Sequence, residues 1–363
     1  MSDTGDLAAW IDLSLAPGIG SRSFRSLLSA FGMPAQVLAA TSLQLGRVVS
    51  QQLAEVILDG SRGPLVQKTL AWATQPRHAV LTFADSRYPK QLLEIPDPPA
   101  VLYVVGEVDL LSSPALAVVG SRNATPQGIE NASGFARVLS DAGLTIVSGL
   151  ALGVDSAAHA GGLRGRGSTI AVLGTGIDIV YPKRNESLAS EISLHGALVS
   201  EFPLGTPPKA ANFPGRNRLI SGLSRGCLVV EAAIDSGSLI TARLAVEQGR
   251  DVFAIPGSIH SPLSKGCHAL IKQGAKLVET AQDVLEEFGL ESRTFERASK
   301  STESPKSTES HLVLEKMGFD SCDIDRLISR TGLTAEVVSA MLLELELDGK
   351  IAPLPGGLYQ RIP

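Results

Sequence analysis

Leu116-Ala117-Val118-Val119-Gly120-Ser121-Arg122-Asn123-Ala124-Thr125-Pro126 is the stretch whose reading decides the fold. Four apolar residues in a row mark a strand buried on both faces. A short polar turn with Gly follows, and Thr-Pro then opens a helix. The same signature recurs at Leu144–Val147, Ile170–Leu173, Ala197–Ser200, Leu228–Val230 and Val252–Ile255, with Lys276–Val278 a further candidate. Helix-length segments such as Gly128–Ala142 and Ser238–Gln248 lie between them. Buried strands alternating with helices need crossover connections, so the class is α/β, a Rossmann-like doubly wound parallel sheet. This domain is expected over residues 76–290.

The flanks read differently. Residues 1–75 carry short helices: an apolar stripe over Leu7–Leu15, a second helix over Ser21–Phe31 ending at Gly32, and a helical period over Ser42–Leu58. The turn Pro17-Gly18-Ile19-Gly20 gives this N-terminal helical domain a SAM-like or helix-hairpin-helix-like look, in which backbone N–H groups can meet a DNA phosphate. A plain αα-hairpin needs the same glycines and is the preferred reading. Residues 291–310 hold almost nothing a core could use and read as a disordered linker. Residues 311–363 resume helical periodicity and end in a Gly-rich turn; three helices and a two-stranded turn make a winged helix.

Charge and composition narrow the partners. The 363 residues include 32 Lys and Arg against 37 Asp and Glu, a net charge of −5. A nucleic-acid site must therefore be a local concentration of cations in an acidic molecule. Cys227, Cys267 and Cys322 are far apart without metal-type spacing, as expected of thiols in a reducing cytoplasm. Met1–Asp6 is acidic and polar, so no signal peptide is expected, and no apolar run reaches membrane-spanning length.

Ligands of open parallel sheets bind at the carboxyl ends of the strands. Gly120, Ser121 and Arg122 follow the first strand, and Ser148 and Gly149 the second. Gly174 and Gly176 follow the third, then Lys183, Arg184 and Asn185. The fourth leads to Phe213, Arg216, Asn217 and Arg218; the fifth to Ser236, Gly237 and Ser238; Lys265 lies beyond the sixth. Gly admits an anion close to the backbone, Ser adds a hydroxyl, helix N-termini add free N–H groups, and Arg adds a charged fork. Phe213 beside arginines supplies the stacking surface that single-strand sites use. Together they point to a phosphate-bearing ligand.

Other chemistries lack their residues. No Gly-x-x-x-x-Gly-Lys-[Ser/Thr] run is present for a triphosphate, and Gly174-Thr175-Gly176 lacks the third Gly of a dinucleotide fingerprint. No catalytic set, metal site or cofactor is expected. Asp155 and His159, four apart on one helix face, read as structural. Glu231 reads either as a catalytic carboxylate or as the ion-pair partner of an arginine. The second winged-helix helix, about Thr334–Asp348, carries Glu336, Glu344, Glu346 and Asp348 without Lys or Arg, so protein contact suits it better than duplex DNA.

These ordered motifs resemble the DprA/Smf family of DNA-processing proteins. The resemblance rests on Gly120-Ser121-Arg122, on Ser148 to Asp155 with Ala158-His159, and on Gly174 to Asp178 with Tyr181-Pro182. It continues through Asn212-Phe213-Pro214, Arg216 to Ser224, Ser236-Gly237-Ser238 and Pro262 to Gly266. It implies a non-enzymatic protein that binds and protects single-stranded DNA, helps load the recombinase RecA onto it in natural transformation, and forms a homodimer through the α/β domain. On that analogy Arg122 and the Lys183–Arg184 pair contact DNA, and Arg216 and Arg218 line one pocket. Replacing Arg122, or Arg216 with Arg218, is then expected to weaken binding and spare the fold. The competing class is a nucleotide-processing enzyme like the lysine-decarboxylase-like phosphoribohydrolases, whose Pro-Gly-Gly-x-Gly-Thr-x-x-Glu run is replaced here by Ser236-Gly237-Ser238 without the paired acid.

Overall fold

Six helices lead into the sheet: α1 (Thr4–Ser14), α2 (Ser21–Phe31), α3 (Pro34–Ala39), α4 (Ser42–Leu45), α5 (Gln51–Leu58) and α6 (Gly63–Ala73). The computed structural model describes residues 4–290 and 308–362, so most of the expected linker, residues 291–307, lies outside the described residues. The single helical period expected over Ser42–Leu58 is two helices. Gly46 ends α4, and the Ser50 hydroxyl starts α5 by accepting the Leu53 N–H at 3.3 Å, a side-chain cap that resets the chain direction.

The chain then runs β1 (His78–Thr82), α7 (Lys90–Leu93), β2 (Val101–Gly106), β3 (Ala115–Val119), α8 (Pro126–Asp141), β4 (Thr145–Ser148), α9 (Val154–Leu163), β5 (Thr169–Val172), α10 (Glu186–His195) and β6 (Ala197–Ser200). It continues through α11 (Asn212–Gly222), β7 (Gly226–Val229), α12 (Gly237–Glu247), β8 (Asp251–Ala254), α13 (Lys265–Lys272), β9 (Lys276–Leu277) and α14 (Ala281–Glu287). The sheet order is β1-β2-β6-β5-β4-β3-β7-β8-β9. From β6 through β9 every neighbour pair is parallel; β1 and β2 add an antiparallel edge that the strand pattern had not included. The chain first winds from β3 outward to β6, then returns to place β7 on the other side of β3. The order therefore switches between β3 and β7.

The helices α1 to α6 share one apolar cluster with a face of the sheet: Trp10, Ile11, Leu13, Phe24 and Ile57 join Tyr103 of β2 and Ala171 of β5. Trp10 stacks on Phe24 at 5.6 Å and meets Phe83 edge-on at 6.0 Å. At the α1–α2 turn, Ser21 Oγ donates to the Asp97 carboxylate and Arg25 Nη2 donates to the Pro96 carbonyl at 2.9 Å. The anion facing the start of α2 in this structure is thus the protein's own Asp97 carboxylate.

The winged helix comprises α15 (Thr308–Met317), β10 (Cys322–Asp323), α16 (Ile324–Thr331), α17 (Ala335–Leu347), β11 (Ile351–Leu354) and β12 (Leu358–Arg361), in strand order β10-β12-β11. The two-residue β10 makes a third strand, too short to show a period in the sequence. No helix among the described residues is long and apolar enough to cross a membrane.

Because the N-terminal helices and the sheet have one core, Trp10→Ala should cost about 3–5 kcal/mol. It should lower a single unfolding transition of residues 4–290, read by denaturant titration with far-UV circular dichroism. A separate early transition of the N-terminal helices, with the sheet unaffected, would contradict the shared core.

Candidate nucleic-acid interface

At the β3/β7 switch the loops open a cleft of about 760 Å³. One wall is the turn after β3, with Gly120, Ser121 and Arg122. Opposite lie Ser236, Gly237 and Ser238 at the start of α12, and the third wall is the start of α11 with Phe213, Arg216 and Asn217. Ser236 caps α12 by accepting the Ser238 N–H at 3.3 Å, so the first turn of an 11-residue helix points into the cleft. Arg122 is exposed, and no ion pair holds it among the described residues. Tyr181, quoted for the family motif but not counted with the site residues, is 48% exposed on the rim with its ring 5.7 Å from that of Phe213. Its signal was there: an aromatic in a Gly- and Arg-rich loop.

Arg216 and Arg218 do not share this cleft. On a helix, residues two apart point to opposite sides. Arg216 is 4% exposed and donates through Nη1 to the Gly149 carbonyl at 2.8 Å and to the Val172 carbonyl. Burial draws its pKa down to about 10, Asp155 opposes that, and Arg122 adds to it. The guanidinium stays protonated at neutral pH, and its Cζ lies 5.9 Å from the Phe213 ring centre. Arg218 instead forks onto Glu201 with two bonds of 2.6 Å and pairs with Asp97 at 3.2 Å. The expectation that replacing both arginines spares the fold is corrected on that ground. Arg216 is a buried strut, and removing it strands two carbonyls.

The remaining rim residues divide the same way. Ser148 is buried and donates to the Val118 carbonyl at 2.6 Å. Gly149 passes beneath the Arg216 guanidinium, where a Cβ would lie 2.6 Å from Nη2. Gly174 accepts the Asn212 amide at 3.1 Å and lies against the Phe213 ring, and the Gly176 N–H donates to the Thr206 carbonyl at 2.9 Å. Asn185 is buried and donates to the Leu150 carbonyl at 2.8 Å and the Ser156 hydroxyl at 2.9 Å. Lys183 and Arg184 are exposed but do not line the cleft, and Lys265 bonds the Ile259 carbonyl outside it.

Asp155 and His159 are structural, and both are buried. Asp155 accepts the Gly149 and Ala151 N–H groups at 3.1 and 3.3 Å, and burial pushes its carboxyl pKa upward. His159 Nδ1 meets Thr169 Oγ1 at 2.7 Å, and that hydroxyl donates its own hydrogen to the Ile146 carbonyl. Nδ1 therefore carries the proton, and Nε2 accepts the Leu150 N–H at 3.3 Å. These bonds hold Leu150 at φ 58°, a left-handed conformation a leucine adopts only when its surroundings impose it. Glu231 is not the ion-pair partner of an arginine among the described residues. It accepts the Thr125 N–H at 2.9 Å and hydroxyl at 2.6 Å, fastening the start of α8. No cluster of three or more metal-ligating side chains occurs among the described residues.

Comparison with known proteins places this geometry. The family model described as DNA recombination-mediator protein A matches residues 79–289, and the DprA winged helix domain matches residues 297–357. Protein Smf of Escherichia coli K12 is 46% identical over 304 residues, 82% of this chain and 81% of that protein. The X-ray structure of DNA processing protein A from Streptococcus pneumoniae is 39% identical at a TM-score of 0.69, covering 77% of this chain and 97% of that one. DNA processing protein A from Helicobacter pylori, whose structure concerns its single-stranded DNA binding mode, is 32% identical at a TM-score of 0.53, covering 58% and 95%.

Burial holds the His159 pKa at about 3, against 6.5 for a free imidazole. Between those values the unfolded chain binds the extra proton, so stability falls as pH drops below 6.5, by up to about 1.4 kcal/mol per pH unit. His159→Gln should be less stable at pH 7 yet show a shallower decline from pH 7 to 5 in denaturant titrations. Parallel declines for the two proteins would refute a neutral buried imidazole.

Proposed function

This chain belongs to the DNA recombination-mediator protein A family, and on that premise we propose that its switch-point cleft binds single-stranded DNA. The observation that carries the reading is the meeting, in one cleft, of Arg122, exposed and without an ion pair among the described residues, a capped helix N-terminus at Ser236–Ser238 and the Tyr181–Phe213 aromatic pair. A phosphate suits the first two, and an unstacked base of a single strand suits the rings. Lys183 and Arg184, exposed beyond Tyr181, extend the positive rim along the path of the strand. Arg216, Asn185 and Ser148 act through the shape of the loops rather than by touching the strand.

The protein shields the bound strand and helps load RecA onto it during DNA uptake, without catalysing a reaction. It works as a homodimer through the α/β domain and in the cytoplasm, a setting that suits its three unpaired buried cysteines. The phosphoribohydrolase-like alternative needs a carboxylate free to act on a ribose, whereas Glu231 is tied to Thr125.

Fluorescence anisotropy should show tighter binding of oligo-dT than of a duplex and a steep loss with salt. Arg122→Ala should weaken binding about tenfold, reduce the salt slope by roughly one ion and leave the melting curve unchanged. Arg216→Ala, by contrast, should lose about 3 kcal/mol or more of stability. Equal affinity for both DNA forms, or an Arg122→Ala protein that binds as before, would sink the assignment.

A further inference from the structure

A second and larger cleft, about 950 Å³, lies between the sheet and the winged helix. It is walled on one side by the loop after β8 and the start of α8, and on the other by the end of α15, the turn to β10, and α16. Gln360 of β12 joins the two sides, donating through Nε2 to Gln127 Oε1 at 3.1 Å. Leu263 lines both this cleft and the one at the β3/β7 switch, so the two adjoin across a single side chain.

We propose that a single strand held in the first cleft continues over Leu263 into the second, where Phe319 stacks a base and Arg326 and Arg330 hold phosphates. The inference rests on the reading of the first cleft given above. Phe319 is 50% exposed for a large aromatic, with the Arg361 guanidinium 4.8 Å from its ring centre. Arg326 and Arg330 are exposed, and no ion pair holds Arg326 among the described residues. An accessible ring among guanidinium groups is the mixture found in the first cleft, repeated on the winged helix. Of the three acids on the wall, Glu231 is engaged by Thr125 and Glu315 lies 3.9 Å from Lys316 Nζ; the third, the exposed Asp320, is outnumbered by Lys316, Arg326 and Arg330 on that wall. The acidic helix α17 does not line the cleft. The winged helix then contributes through α16 and the turn before it, and the repulsion expected of α17 does not arise.

The test uses the full chain, fluorescent oligo-dT of about 6 and about 24 nucleotides, and the Phe319→Ala/Arg326→Ala variant, both of whose side chains are exposed enough to spare the fold. The longer strand should lose about tenfold in affinity for the variant, and the shorter, which fills only the first cleft, should bind as to the wild type. An unchanged affinity for the longer strand, or an equal loss for both, would overturn the extension. Arg122→Ala separates the two ideas. If it weakens both strands while Phe319→Ala/Arg326→Ala weakens neither, the extension alone fails; if Arg122→Ala weakens neither, the first cleft and the extension fall together.

Discussion

The Arg216 guanidinium, nearly removed from water, joins the end of β4 to the end of β5 through the Gly149 and Val172 carbonyls. A cation in such a place persists only when it is hydrogen-bonded and faces an opposite charge. Asp155 supplies that charge, and the Asp155 carboxylate is itself oriented by the Gly149 and Ala151 N–H groups. The glycine at 149 follows from the same contact, because any side chain there would collide with the guanidinium. Leu150, held left-handed by His159 and Asn185, completes the loop. Much of what looks in the sequence like a phosphate cradle is thus a set of contacts among the loops themselves.

That division explains how an acidic protein can offer a cationic site. The long-range field of a molecule with net charge −5 repels a polyanion, but at physiological salt it is screened beyond about 8 Å. Within that distance only local groups count. Arg122 stands across the cleft close enough to Arg216 to depress the latter's hold on its proton. Two guanidinium groups in this relation repel each other, and an anion placed between them relieves the repulsion. On the proposed reading of the cleft, the structural arginine would favour a bound phosphate without presenting its own fork.

The central sheet was legible because strands buried on both faces leave continuous apolar runs, and six of them separated by helices admit few topologies. The edge was not. His78–Thr82 and Val101–Gly106 are as apolar as the others, but the 18 residues between them hold only the four-residue α7 and several prolines, too little for a crossover helix. Antiparallel pairing follows from that shortage, which a search for strand-helix alternation passes over. At the site, residue types were legible and side-chain directions were not. The opposite fates of Arg216 and Arg218 were available from the helical period alone, whereas the capping of Thr125 by Glu231 joins residues 106 apart and has no local signature.

Arg218 shows what its face of α11 is for. Its fork holds Glu201 at the end of β6, and its Nε pairs with Asp97, whose carboxylate also receives the Ser21 hydroxyl at the start of α2. One turn earlier the same helix presents Phe213 to the cleft. The N-terminal helices thus reach the cleft through a rigid element with ions on one side and an aromatic on the other. Since those helices also share their core with the sheet, a load on α11 is borne by packing distributed over both parts of the molecule. A ring used for stacking gains affinity when it is fixed beforehand, because less side-chain entropy is lost on binding. On the proposed function, the helical region, none of whose described residues lines the cleft, would contribute to binding by holding α11 still.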